Sequence, residues 1–304
     1  MASRAPEARD GTAPGWVTAA LGPELAGVSR LPWGFTNETW GATTAEGERY
    51  AVTRMASTAA ASFVLRHGPA IAGRVGSVGL EMPVPIPARS HASEAVVVSS
   101  WLDGTPAMLQ LGGSGGASAV GHALGDAWRR LREVDIDGLA LDDTWARPAV
   151  LVEAARGWLA SEAGRLGAQA ASNADGHIET LASGGRAQRG SFVHGDLVPA
   201  NLLLRAEGSA LLDLESARIG DPLFDAAWFR WIVGYHHPEL VEQAWSAFVS
   251  AAAPDVDEPF DEALLDAYPV LRILEILAGP DLTVASRDRW IQQLECAVAR
   301  RRSV

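Results

Sequence analysis

The chain has 304 residues, of which 48% are apolar and 20% are charged, and its formal net charge is -12. This length suits one large two-lobed unit or two fused domains, and the composition excludes general disorder. The negative charge argues against nucleic acid and anionic membranes as partners.

A single cysteine, Cys296, excludes an intrachain disulfide and a cysteine-based zinc site, so a reducing compartment fits the chain. The N-terminus has no apolar block behind its arginines, and nowhere do 18 apolar residues follow one another. We therefore expect a soluble cytoplasmic protein.

The acidic charge is concentrated in the C-terminal two thirds of the chain. Residues 1–103 hold nine acids and eight arginines, whereas residues 104–304 hold 28 acids and 17 arginines, and the chain contains no lysine. A cationic partner is therefore expected to bind the C-terminal part.

The N-terminal third reads as a small antiparallel sheet. Residues 1–14 have no hydrophobic period and are expected to form a disordered arm. A short helix over 16–21 precedes a segment, 30–55, that alternates strand, glycine-containing loop, strand, turn and strand. A helix follows over 59–75, with a break or kink expected at Gly68–Pro69, and a strand at 95–98 completes this lobe.

The remainder is mainly helical, so the predicted boundary lies near residue 103. The prediction is an N-terminal lobe over 15–103 and a C-terminal lobe over 104–304, which makes an α+β fold with a small sheet lobe and a larger helical lobe. Within the helical lobe, the apolar runs at 202–204 and 210–212 suit a hairpin.

One segment, residues 191–201, has the spacing of a kinase catalytic loop. His194 is followed two residues later by Asp196 and then Leu197, and Asn201 lies five residues after Asp196. Asp213, which follows an apolar run, lies 12 residues beyond Asn201, where a kinase carries its second metal-binding acid. Each residue alone is typical of a turn, but their order and spacing favour catalysis.

Phosphoryl transfer explains why these residue types occur together. Mg²⁺ has to neutralise the nucleotide phosphates and prefers hard oxygen ligands, which the side chains of Asp213 and Asn201 provide. Asp196 can orient a substrate hydroxyl and accept its proton. We interpret His194 as a structural brace of the loop.

These residues resemble the aminoglycoside phosphotransferase and choline kinase-like family of small-molecule kinases. The matching segments are 194–201, 211–215 and 220–225, and the last resembles the family's Gly-Asp-Pro-x-x-Asp signature. The resemblance implies a bilobal protein-kinase-like fold, ATP or GTP with Mg²⁺ as cofactors, and transfer to a hydroxyl of a small molecule. Glycine at position 195 and the short interval to Gly220 leave no room for a regulatory activation segment.

In the N-terminal lobe the resemblance implies a nucleotide loop around Gly34 and a phosphate-binding role for Arg54, where most relatives have lysine. No glutamate in the helix over 59–75 is placed to pair with Arg54, and Glu81 falls just past it. The segment after the strand at 95–98 resembles an interlobe hinge, in which the Ser100 carbonyl and the Leu102 amide read the purine edge.

Three further features concern the metal and the acceptor. Glu215 follows Asp213 by two residues and is either a second metal ligand or a solvated loop acid. An acidic run favours a cationic acceptor, although such runs are usually solvated faces. Aromatic residues nearby either line the acceptor pocket or form core. The acidic run consists of Asp255, Asp257, Glu258, Asp261 and Glu262, and the aromatic residues are Trp228, Trp231, Tyr235 and Trp245.

The sequence thus predicts a nucleoside-triphosphate-dependent O-phosphotransferase that modifies a small cationic antibiotic and confers resistance. A metabolic kinase of the amino sugar, choline or homoserine type is the alternative enzyme. A catalytically inactive nucleotide-binding protein is the alternative outside enzymes. The sequence decides neither between ATP and GTP nor between a monomer and a dimer.

Overall fold

A computed structural model of the chain describes residues 12–32, 37–184, 190–252, 260–280 and 282–299. The chain divides into two compact units. The first contains the described residues of Met1–Gln110 together with Ala200–Glu215, and the second contains Leu111–Pro199 and the described residues of Ser216–Val304.

The first unit is built on a four-stranded antiparallel sheet in the order β1-β2-β3-β4. Its strands are β1 (Leu25–Arg30), β2 (Glu38–Thr44), β3 (Arg49–Arg54) and β4 (Val96–Ser100). A tight turn joins β2 to β3, where the Gly47 amide donates to the Thr44 carbonyl and Gly47 has a φ of 86°. This positive φ suits glycine, and it confirms the turn that the sequence predicts.

Two helices cover opposite faces of this sheet. Helix α1 (Gly15–Leu21) places Val17 against Val52 and Val98, and we call this side the α1 face. Helix α2 (Thr58–Ser77) places Ala61 and Val64 against Val97, and we call this side the α2 face. Because side chains alternate along a strand, neighbouring residues of β3 belong to different faces.

Helix α2 runs without a break through Pro69, where the sequence predicts a break or kink. The Ser57 hydroxyl caps its first turn by accepting from the Ala60 amide at 3.1 Å. A Cβ atom at Gly68 would lie 2.6 Å from Cγ of Pro85, so only glycine allows this close packing. Tertiary packing contributes most of the stability of a helix in a protein, which is consistent with a helix that continues through a proline.

A smaller three-stranded sheet, ordered β5-β7-β8, completes the first unit. It consists of β5 (Thr105–Pro106), β7 (Leu202–Leu204) and β8 (Ser209–Leu211). Strands β7 and β8 form the hairpin that the sequence predicts, paired from Leu202 with Leu211 to Leu204 with Ser209.

The second unit is mainly helical and contains one short antiparallel strand pair. The strands are β6 (Ser191–Val193) and β9 (Arg218–Gly220). The helices are α3 (Gly116–Leu131), α4 (Pro148–Glu162), α5 (Ala168–Gly184), α6 (Leu223–His236), α7 (Val241–Ala252), α8 (Glu262–Ala278) and α9 (Val284–Ala299).

Helices α3 and α7 approach each other closely because α3 carries glycines on the contact face. A Cβ atom at Gly121 would lie 2.0 Å from the Ala244 carbonyl oxygen, and one at Gly125 would lie 2.4 Å from the Phe248 carbonyl oxygen. The two glycines are four residues apart and therefore share one face of α3. Backbone contact between the helices thus depends on these two positions.

The expected fold class, a small antiparallel sheet followed by a mainly helical remainder, is confirmed. The lobe boundary near residue 103 stays a prediction, as does the arm over 1–14, most of which lies outside the described residues. Within the described ranges, none of the helices has the length and hydrophobicity that a membrane crossing requires.

Candidate active site

The loop after β6 carries His194, Gly195 and Asp196, and a buried carboxylate holds its backbone. Asp225 on α6 accepts from the His194 amide at 2.8 Å and from the Gly195 amide at 2.9 Å. Burial raises the pKa of Asp225 to about 7, and repulsion from Asp196 acts in the same direction. The hydrogen bonds from the two backbone amides and the charge of Arg218 act to lower this pKa. Asp225 therefore anchors the backbone of the loop that carries Asp196.

Gly195 has the conformation and the surroundings that only glycine tolerates. Its φ is 81°, and a Cβ atom there would lie 2.1 Å from the carbonyl oxygen of Ser216. Any side chain at this position would displace either the loop or the turn at Ser216. The structure therefore gives a steric reason for glycine where protein kinases carry an arginine.

The half-buried carboxylate of Asp196 receives a hydrogen bond from an indole. Nε1 of Trp228 donates to Oδ1 of Asp196 at 2.8 Å, and Trp228 is only 3% exposed. Sequence reasoning assigned Trp228 to the acceptor pocket or to the core and missed this contact. The sequence feature that could have indicated this contact is spacing: Trp228 lies three residues after Asp225 and therefore on the same side of α6.

The residues expected to bind metal lie in the first unit, at one end of the β7–β8 hairpin. The Leu212 amide donates to the Asn201 carbonyl oxygen at 2.9 Å, which fixes Asn201 beside the residue that precedes Asp213. Asp213 itself has a left-handed φ of 63°, a conformation that aspartate tolerates better than most residues. The two residues are therefore neighbours in the folded hairpin although 12 positions separate them in sequence.

The chemistry of these side chains fits Mg²⁺. Asn201, Asp213 and Glu215 offer amide and carboxylate oxygens, which are the ligands that this ion prefers. Each of the three is half-buried, so the surroundings limit their motion without excluding a ligand. No cluster of three or more histidine, cysteine, aspartate or glutamate side chains in the described parts of the chain is arranged to hold a metal, and the candidate set here has only two carboxylates beside the Asn201 amide.

Glu215 also has a protein partner that the sequence did not indicate. The side-chain amide of Asn37 donates to Oε2 of Glu215 at 3.2 Å, and Oδ1 of Asn37 accepts from the Ala56 amide at 2.9 Å. Asn37 is only 8% exposed. This buried asparagine links the start of β2, the end of β3 and the turn that follows Asp213.

On the α2 face, the sheet borders an open cavity of about 210 Å³. Its lining comprises Gly27, Val28, Ser29, Gly41, Ala42, Thr43, Arg49 and Trp101. The Trp101 ring lies against Gly41, where a Cβ atom would be 2.8 Å from the indole, and the Arg49 guanidinium stacks 4.5 Å from the centre of the same ring. Asp103 accepts from both Trp101 and Arg49, and these bonds lower its pKa.

The two hinge residues lie at and just after the end of β4. The Ser100 amide donates to the Val84 carbonyl at 3.0 Å, and the Val84 amide donates to the Ser100 hydroxyl at 2.9 Å. Leu102 is half-buried, and none of the backbone hydrogen bonds between described residues uses its amide. A ligand can therefore receive a hydrogen bond from the Leu102 amide without displacing a protein acceptor.

Arg54 lies on the α1 face, opposite the cavity. It pairs with Val96, and Val52 pairs with Val98, so Arg54 shares its face with these residues, while Thr53 occupies the α2 face. The assignment of Arg54 to the phosphates stays a prediction, and this register argues against it. Gly34, the expected residue of the nucleotide loop, lies outside the described residues.

Asp221 and Arg218 brace the segment that follows β9. Asp221 accepts from the Tyr268 hydroxyl at 2.8 Å and from the Leu223 amide at 2.9 Å, and burial raises its pKa. Arg218 donates to both carboxylate oxygens of Glu275 at 2.8 and 3.1 Å. Both contacts tie this segment to α8, which contains Tyr268 and Glu275.

The residues proposed for the acceptor pocket have mainly structural contacts. Asp261 caps α8 by accepting from the Ala263 and Leu264 amides, and Glu262 pairs with Arg230 at 2.8 Å. The other three acids of the run lie outside the described residues. Trp228 and Trp231 are 3% and 5% exposed and stack at 5.1 Å, so these two aromatics form core.

Comparisons with known proteins identify one family and a set of similar structures. Residues 27–277 match the family described as APH, phosphotransferase enzyme family. No curated protein matches the chain.

Three solved structures illustrate the similarity. The GDP and kanamycin complex of APH(2")-IIia is 14% identical with a TM-score of 0.68, covering 94% of this chain and 97% of that one. Choline kinase LicA from Streptococcus pneumoniae is 15% identical with a TM-score of 0.63, covering 93% and 96%. Apo macrolide 2'-phosphotransferase MphH from Brachybacterium faecium is 17% identical with a TM-score of 0.60, covering 91% and 95%. At these identities the likeness shows the fold.

Proposed function

Because the chain belongs to the phosphotransferase enzyme family, we propose that it transfers the γ-phosphoryl group of ATP or GTP to a hydroxyl of a small cationic antibiotic. Membership of the family and the activity class, a small-molecule kinase, are confirmed by the match over residues 27–277. The single observation that carries the rest of the proposal is the loop after β6, in which α6 holds the backbone amides of His194 and Gly195 and the carboxylate of Asp196.

In the proposed reaction Asp196 is the general base. Its carboxylate orients the acceptor hydroxyl and takes the proton as the new oxygen–phosphorus bond forms and the bond to the β-phosphate oxygen breaks. Proton removal is late in a loose transition state, so an ordinary carboxylate suffices as base. The main contribution of the loop is therefore the fixed position of this carboxylate.

Asn201 and Asp213 would hold Mg²⁺, and Glu215 would bind the ion directly or through water. When bound, the ion neutralises the phosphate charge that otherwise repels the attacking oxygen. The hydrogen bond from the Leu212 amide to the Asn201 carbonyl supports this assignment because it orders the hairpin end that carries the ligands.

For the nucleotide we propose the α2 face of the first sheet, with the Ser100 carbonyl and the Leu102 amide reading the purine edge. The Leu102 amide donates to none of the backbone carbonyls among the described residues. The neighbouring cavity is lined in part by glycines and by the Trp101 ring, which leave room for a planar group. The contacts are backbone contacts, so they suit either ATP or GTP.

A cationic acceptor is supported by the charge of the chain. Residues 104–304 carry 28 acids against 17 arginines, and this field attracts amino-bearing molecules. An aminoglycoside or a basic peptide antibiotic fits this description, and phosphorylation would give resistance. The exposed single cysteine, Cys296, fits a reducing compartment and supports a cytoplasmic location.

The competing enzyme is a metabolic kinase for choline, homoserine or an amino sugar, which would use the same base and metal ligands. A choline kinase is among the similar structures, and choline is also a cation. The competing non-enzyme is a protein that binds nucleotide without turnover.

The decisive experiment is an incubation of the purified protein with γ-labelled ATP or GTP and Mg²⁺. Acceptors are aminoglycosides and basic peptide antibiotics in one set, and choline, homoserine and amino sugars in the other. We expect label transfer only to the antibiotic set, and none with the Asp196→Ala protein. Transfer to a metabolite alone would favour the metabolic kinase, and nucleotide binding without any transfer would favour the inactive protein.

A further inference from the structure

We infer that Trp228 is a positioning residue that fixes the carboxylate of Asp196 for transfer. This inference rests on the proposed function, because it gives Trp228 a task only if Asp196 is the base. Its starting point is the hydrogen bond from Nε1 of Trp228 to Oδ1 of Asp196 at 2.8 Å. A bond from a neutral donor to a carboxylate is stronger than one between neutral groups.

The indole that makes this bond is itself immobilised. Trp228 stacks on Trp231 with ring centres 5.1 Å apart and an angle of 18°, and on Trp290 at 6.4 Å and 23°. A ring that stacks on two others and is 3% exposed cannot rotate without disrupting these contacts. The donor is therefore at a fixed place.

Helix α6 holds the catalytic loop at two levels. Asp225 accepts from the His194 and Gly195 amides and so sets the backbone of the loop. Trp228, about one turn further along, sets the side-chain torsion of the next residue, Asp196. Beyond this hold on the backbone, the indole N–H restrains rotation of the Asp196 carboxylate.

A fixed carboxylate affects the rate of transfer more than the binding of substrates. The hydrogen bond between base and acceptor hydroxyl has to be aligned in the transition state, and misalignment lowers kcat. The nucleotide does not depend on this alignment, so its KM should not change.

The chain offers a matched pair of variants. Trp228→Phe and Trp231→Phe each remove one indole N–H from the same aromatic stack and keep a ring. Nε1 of Trp231 is buried and has no hydrogen-bond partner among the described residues, so its loss removes no such contact. We expect Trp228→Phe to lower kcat about 10- to 100-fold with the nucleotide KM unchanged, and Trp231→Phe to lower kcat less than about threefold.

Equal kcat values for the two variants would overturn the inference, as would a Trp228→Phe protein whose loss appears only in KM. Thermal unfolding of both variants separates a general loss of folding from the specific effect. If the Trp228→Phe protein does not fold, the second measurement below decides.

The second measurement records the indole ¹H–¹⁵N resonances of the wild type and of Asp196→Ala. We expect the Trp228 resonance to move upfield when the acceptor is removed, while the Trp231 resonance stays in place. An unmoved Trp228 resonance would overturn the inference. If the wild type transfers phosphate to no acceptor, the proposed function is wrong. The shift of the Trp228 resonance would still show whether the indole N–H binds Asp196.

Discussion

The side chains of Asn37 and Glu215 are joined by a 3.2 Å hydrogen bond although 178 positions separate them in the sequence. Asn37 directly follows the segment around Gly34 that the family resemblance assigns to the nucleotide phosphates, and Glu215 closely follows Asp213. The bond therefore links two segments to which nucleotide and metal are assigned.

We expect Asn37→Asp to weaken binding of the Mg²⁺-nucleotide complex about tenfold. The change replaces an amide donor with a carboxylate that repels Glu215 at hydrogen-bond distance. Titration of a fluorescent nucleotide in the presence of Mg²⁺ measures the effect. Asn37→Ala removes the donor without adding a charge and should weaken binding less than Asn37→Asp does, and equal losses in the two variants would contradict this explanation.

Substitutions of Asp196 and of Asp213 should affect different steps, the first the rate of transfer and the second the binding of the Mg²⁺-nucleotide complex. Asp196→Asn removes the base and should lower kcat on the order of 10³-fold while nucleotide affinity stays within about twofold. Asp213→Asn removes a metal ligand and should weaken the Mg²⁺-nucleotide complex at least about tenfold, without affecting the nucleotide in EDTA. Steady-state kinetics and calorimetric binding with and without Mg²⁺ test both; similar binding defects in the two variants would contradict the assigned roles.

The titration of Asp225 should make folding stability pH-dependent. Its pKa in the folded protein is about 7, above the ordinary value of 3.8, so the folded state binds this proton more tightly than the unfolded state. The contribution of Asp225 is thus fully present at acid pH and is lost as pH rises from about 4 to about 7. At about 1.4 kcal/mol per unit, the loss is on the order of 4 kcal/mol.

Asp225→Asn isolates this contribution. Asparagine does not titrate and offers one oxygen to the two loop amides, so the variant should be less stable than the wild type. Because only the wild type loses stability as pH rises, the difference should be larger at pH 5 than at pH 8. Urea unfolding at both pH values measures it, and a difference that grows towards pH 8 would refute the pKa direction.

The glycine contact between α3 and α7 predicts a large cost for a small substitution. Gly121→Ala would place its Cβ atom 2.0 Å from the Ala244 carbonyl oxygen, so the helices have to move apart. We expect a loss of about 2–3 kcal/mol in the free energy of unfolding. Gly157→Ala on α4, whose Cβ atom would meet nothing within 4 Å, is the control and should gain up to about 1 kcal/mol.

Arg54 and Arg49 offer a test of the strand register. Arg54 lies on the α1 face and Arg49 lines the cavity on the α2 face. If the nucleotide binds at the α2 face, Arg54→Ala should change nucleotide affinity less than about twofold, whereas Arg49→Ala should weaken it more. A tenfold or greater loss in Arg54→Ala would instead support the phosphate role that the family resemblance gives this residue.

Local patterns were sufficient to predict much of the fold. The β7–β8 hairpin, the turn at Gly47 and the short helix before β1 follow from turn chemistry and hydrophobic period, which act over a few residues. Helix α2 shows the limit: its own sequence predicts a break at Pro69, whereas the folded helix continues and packs closely against Pro85, a contact that local patterns do not show.

The candidate site likewise has residues that local sequence predicts and residues that depend on long-range contacts. The order and spacing of Asp196, Asn201 and Asp213 are visible in the sequence because they lie within one short segment. Asn37 was not found because its partner lies 178 positions away, and Trp228 was not connected with Asp196 because a tryptophan in an apolar helix reads as core. The side on which Arg54 projects depends on strand register, which composition does not reveal.

The close approach of Gly195 to the Ser216 carbonyl restricts how this enzyme could be brought under artificial control. A designer who wishes to gate it by phosphorylation needs a cationic side chain beside the catalytic loop, and position 195 has no space for one. Such a redesign has to rebuild the turn at Ser216 first, so a single substitution will not produce a phosphorylation-gated variant.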